Sequence, residues 1–64
     1  MTNAEALEMI TQAAEDRADG HFSIWKFTTN WKASLGTRGP RAHFAVPAFP
    51  TLGEAVSWAI EQHR

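Results

Sequence analysis

Two Thr-x-x-Glu pairs, Thr2 with Glu5 and Thr51 with Glu54, stand near opposite ends of the chain. Each has the spacing of a capping box, in which a hydroxyl and a carboxylate satisfy amide groups that the first helical turn leaves open. They predict one helix near each end and confine everything else to the residues between. Ala6, Leu7, Ile10, Ala13, Ala14 and Ala18 recur at helical spacing, with Glu5, Glu8, Glu15 and Asp16 over the rest of the wheel. This predicts an amphipathic helix over about 3–18, stopped by Asp19-Gly20. At the other end, Pro50 precedes the cap, and Leu52, Ala55, Val56, Ala59 and Ile60 form one stripe. That predicts a helix over about 52–63, with His63 and Arg64 at the negative end of its dipole.

The middle of the chain, from His21 to Val46, is rich in aromatic, β-branched and alternating residues. Strands are expected over about 21–28, 31–36 and 41–46, bounded by Gly39-Pro40 and Pro47. Thr29-Asn30 is read as a two-residue turn, and Gly36 to Pro40 as a looser connection. The expected architecture is α+β: a single α-β-β-β-α domain over 1–64, a three-stranded antiparallel sheet with both helices on one face.

A two-residue turn at Thr29-Asn30 would set Thr28 opposite Trp31, Lys26 opposite Ala33 and Ile24 opposite Leu35. Phe22, Ile24, Trp31, Ala33 and Leu35, joined by Ala42, Phe44 and Val46, then form the core face. Trp25, Phe27, Lys32, Ser34, Arg41 and His43 collect on the other face, which no helix is left to cover. An exposed aromatic patch on a small domain marks a contact surface. A one-residue slip would instead turn Trp25 or Phe27 inward. Trp58 lies well off the stripe of its helix and is expected at the domain margin, against the sheet edge.

Charge is segregated along the chain. Residues 1–20 carry a net charge of -4, residues 21–53 hold Lys26, Lys32, Arg38 and Arg41 with no acid, and residues 54–64 carry -1. With only 64 residues and no Cys, neither a disulfide framework nor a thiolate metal site is available, so packing or self-association must stabilise the domain. No apolar run reaches membrane-spanning length, and the first residues lack a signal-peptide pattern, so an unprocessed, cytoplasmic protein is expected.

His21, His43 and His63 are far apart in sequence, and no partner stands at metal-ligand spacing. The serines lack a nucleophile-elbow context, the glycines match no phosphate loop, and no carboxylate pair converges on the basic face. No catalytic residue, metal or cofactor is therefore assigned, and the chain is read as not an enzyme.

The α-β-β-β-α order resembles that of double-stranded-RNA-binding domains, but Thr51-Leu52-Gly53-Glu54 stands where that family carries its phosphate-binding lysines. The stretch from Phe44-Ala45-Val46-Pro47 to Thr51-Leu52-Gly53-Glu54-Ala55-Val56 is similar to the strand, loop and helix of HicB-type antitoxins. The compact size and the segment Phe27-Thr28-Thr29-Asn30-Trp31-Lys32 resemble small uncharacterised phage and prophage proteins, a group that includes anti-CRISPR proteins. That last resemblance implies a phage-encoded inhibitor acting on a host nucleoprotein defence complex.

The expected function is a non-enzymatic binding module that contacts a protein partner through Trp25, Phe27, Lys32, Arg41 and His43, with Arg38 on the adjacent loop. Trp and Arg are the residue types that dominate protein interfaces. Single-stranded nucleic acid is the alternative, with Trp25 and Phe27 as stacking platforms and Lys32 and Arg41 on phosphates. Self-association as a homodimer and an antitoxin role are further alternatives, and no membrane partner is expected.

Overall fold

A computed structural model describes residues 1–37 and 42–63, with 42 and 43 as backbone alone. It is a small α+β fold: α1 (Asn3–Arg17), β1 (Phe22–Lys26), β2 (Trp31–Leu35), a 3-10 turn (Ala42–Ala45) and α2 (Leu52–Glu61). Both helices begin where the caps direct. Glu5 N–H donates to Thr2 Oγ1 at 3.1 Å while Thr2 N–H donates to Glu5 Oε1 at 2.8 Å, which closes the box at α1. The Thr2 amide, then the Thr2 hydroxyl, hold the Glu5 carboxyl below its usual range. At α2 only half of the expected box forms: Glu54 N–H donates to Thr51 Oγ1 at 3.2 Å, and the Glu54 carboxylate does not return to the Thr51 amide.

Helix α1 ends at Arg17 with Ala18 as its cap, and Gly20 just beyond, with φ of +86°, returns its N–H to Ala14 O at 3.0 Å. Such a φ suits Gly because any Cβ would strain it. The turn then hands over to β1 through Asp19. Thr37 Oγ1 donates to Asp19 Oδ2 at 2.6 Å and His21 N–H to Oδ1 at 3.1 Å, tying the start of β1 to the chain leaving β2. The Thr37 hydroxyl, then the His21 amide, keep the Asp19 carboxyl below its ordinary value.

β1 and β2 pair antiparallel with Phe22 opposite Leu35, Ile24 opposite Ala33 and Lys26 opposite Trp31. This register differs by two residues from the one expected, because the hairpin turns through Phe27–Asn30 and not through Thr29-Asn30 alone. Phe27 N–H donates to Asn30 O at 2.8 Å. The tight hairpin turns that match strand twist need a positive φ, and no non-glycine residue described has one. The longer loop is instead held by Lys26, whose ammonium donates to the Phe27 carbonyl and, at 3.5 Å, to that of Thr28.

A slip of two residues keeps every side chain on its own side of the pleat. Ala33 and Leu35 are accordingly buried against Ile10, Leu52, Val56 and the alanines Ala6, Ala13, Ala14, Ala55 and Ala59, and Phe22, Ile24 and Trp31 pack against that cluster. Helix α2 makes most of the helix contact with the sheet, through β2, and α1 packs mainly on α2. The many alanines let these backbones approach closely.

The expected third strand is not formed over its described part. Ala42–Ala45 is a 3-10 turn, and the segment that reaches β2 comes later: Phe49 bridges Trp31 with N–H···O bonds of 2.7 and 2.9 Å. The next rung of that antiparallel ladder would pair Ala33 with Pro47, and proline has no N–H to offer. The ladder therefore stops after one bridge. The change reassigns two phenylalanines: Phe44, expected in the core, is 75% exposed, and Phe49 takes a place against the core. Val46 is buried as expected but lies outside the helix-lined cluster. Trp58 sits at the margin, its ring 6.3 Å from that of Phe49.

Candidate functional site

The hairpin loop meets the 3-10 turn and the segment after it at one end of the sheet. Between them lies a groove of about 340 Å³ lined by Phe27, Asn30, Lys32, Phe44 and Ala48. Phe27 is 41% and Phe44 75% exposed, so two rings that folding would ordinarily hide are open to solvent in a groove that a lysine also lines. Lys32 comes from β2, where the pleat sets it opposite Trp25 on the face away from the helices. Its ammonium lies 5.5 Å from the Phe27 ring centroid, close enough for a cation–π contact. On the other face Lys26 is held in the same way, 5.0 Å from the Trp31 centroid.

The expected site residues divide accordingly. Trp25 and Lys32 share the outer face as read from the alternation, and both are partly buried. Phe27 joins them from the loop, since β1 ends at Lys26. The outer face is less bare than expected, because Ser34 on that face is only 2% exposed. Arg38 and Arg41 lie outside the described residues, and His43 is placed only by its backbone in the 3-10 turn. Phe44, Asn30 and Ala48 were missed. Alternation put Phe44 inside, and only the proline at 47, read as a bar to ladder formation, signals otherwise.

No acidic residue occurs between Asp19 and Glu54 in the sequence, and among the described residues lining the groove Lys32 is the charged one. A second groove, of about 540 Å³, opens at the start of α2 and is lined by Met1, Phe49, Thr51, Gly53, Glu54 and Ser57. Its Thr51 hydroxyl is already engaged by the helix cap. Among the described residues no group of three or more His, Asp or Glu is placed to hold a metal ion, and no helix is long and apolar enough to cross a membrane.

Comparison with known proteins finds no family model, no curated protein and no solved structure that matches the chain.

Proposed function

We propose that this protein is a non-enzymatic binding module that engages a protein partner through the groove lined by Phe27, Lys32 and Phe44, with Trp25 on the adjoining face. One observation carries the reading: two large aromatic side chains stand exposed around a single groove on a domain whose other apolar side chains are mostly spent on its core. Aromatic anchors beside a cation, in a concave setting, are what protein interfaces are built on. Arg38, Arg41 and His43 remain candidate contacts on sequence grounds. The resemblance to small phage and prophage proteins supports a concrete form, steric inhibition of a host defence complex, and a gene set among housekeeping genes would undermine that form.

The nucleic-acid alternative is served less well. Lys32 lies over the ring of Phe27, one of the two expected stacking platforms, so that ring offers a base only its other face. The acidic first helix also repels a polyanion. The test is parallel affinity capture from the source cells with the wild-type chain and Phe44→Ala, alongside anisotropy titrations with single-stranded RNA and DNA at low and physiological salt. The reading expects a protein retained by the wild type and lost by the folded variant. Oligonucleotide binding that falls steeply with salt would replace it with the alternative.

A further inference from the structure

In an antiparallel pair, alternate residues turn their backbone groups toward the neighbouring strand and away from it. Phe27 N–H donates to Asn30 O and Gly36 N–H to His21 O, both at 2.8 Å. These two bonds fix the phase of the hairpin: Ser23 and Trp25 turn inward to β2, and Phe22, Ile24 and Lys26 turn their N–H and C=O groups outward. No described residue hydrogen-bonds to those outward groups. On the far side of β2, by contrast, the outward groups of Trp31 are taken by Phe49. The β1 edge also lacks the usual guards, having no proline and no bulge, and a single lysine at its end.

We propose that the β1 edge pairs with the β1 edge of a second copy of this chain, antiparallel about a twofold axis through Ile24, giving one continuous sheet of four strands. The edge is self-complementary in that register. Phe22 then faces the partner's Lys26, Ile24 faces the partner's Ile24, and every outward N–H meets an outward C=O. An axis through Ser23 or Trp25 would leave one outward residue of each copy unmatched. No like charges meet across the pair, and on the outer face Trp25 lies opposite the partner's Ser23. The ends complement each other as well. Asp19 stands in the turn that enters β1 and Lys26 at its exit, so each basic end runs beside the partner's acidic one. A core built largely of alanine gains most from such shared burial. The edge belongs to β1, and the groove of Phe27 and Phe44 to the loop and the later segment, so the two proposals stand or fall separately.

The experiment combines sedimentation with amide hydrogen exchange by NMR over about 10 μM to about 1 mM, a range that brackets weak self-association. The proposal expects a dimer at the upper concentrations. Exchange at Phe22, Ile24 and Lys26 should slow at least about tenfold with concentration, while Ser23 and Trp25 stay protected throughout. A synthetic chain N-methylated at Ile24, which loses one outward donor and keeps its side chain, should stay monomeric with an unchanged circular dichroism spectrum. A wild-type chain that stays monomeric overturns the proposal, and so does a dimer without the alternating protection. Protection gained only when another protein is added would assign the edge to a foreign strand and overturn it equally.

Discussion

Replacing Phe44 with Ala separates the two places this ring can occupy. As a core residue at the centre of a third strand, its truncation would cost roughly 3–5 kcal/mol. In the structure it is 75% exposed. A fully buried Phe removes roughly 150–250 Å² from water, so a quarter of that, about 50 Å² at about 25 cal/mol per Å², gives about 1 kcal/mol. In a domain of this size 1 kcal/mol moves Tm by about 4–8 °C, whereas the core role would lower it by at least about 12 °C. The assay is urea and thermal unfolding followed by far-ultraviolet circular dichroism, with the urea slope checked for constancy. A loss above about 3 kcal/mol would show that Phe44 is inside, which would refute both the 3-10 assignment and the groove.

Four further outcomes are expected. Phe49→Ala and Leu35→Ala, which remove side chains packed in or against the core, should each cost more than Phe44→Ala, Leu35→Ala by about 2–5 kcal/mol in the same urea assay. Gly53→Ala should stabilise by about 0.5–1 kcal/mol: an added Cβ meets only the flexible Met1 Sδ at 3.3 Å, and Ala is the better helix former. Thr51→Ala, which removes the acceptor for Glu54 N–H, should cost about 1 kcal/mol in thermal unfolding. Asp19 titrates below its ordinary 3.8 in the folded chain, so its contribution is present above that value and is lost as pH falls through the lower folded pKa. Asp19→Asn should therefore differ from wild type near neutral pH and converge with it in acid, as read by urea midpoints across the range.

Local signals place the helices and the pleat. Caps and apolar stripes are contacts within a few residues, so α1 and α2 begin at the residues the sequence marks, although only α1 closes a full capping box and Leu7, counted in the first stripe, is 43% exposed. Trp25 and Lys32 are sorted from Ile24 and Ala33 as the alternation suggests, although the turn lies one residue from its expected place and the register therefore shifts by two, because an even slip leaves the faces unchanged. The last sheet segment was not legible in the same way. Alternation over 41–46 suggests a strand, but pairing depends on a neighbour's open groups, and Pro47 withholds the donor that the second rung needs. Phe27 lines the groove from the loop and not from the strand expected to carry it.

The central claim is that Phe27 and Phe44 form one working surface. It is tested most directly by mapping amide shift changes on the labelled chain as a captured protein partner is titrated in. The account predicts perturbations concentrated at Phe27, Asn30, Lys32, Phe44 and Ala48, all abolished by Phe44→Ala. Shifts gathered instead on the exposed acidic side of α1, around Glu8 and Glu15, with the groove unmoved, would contradict it.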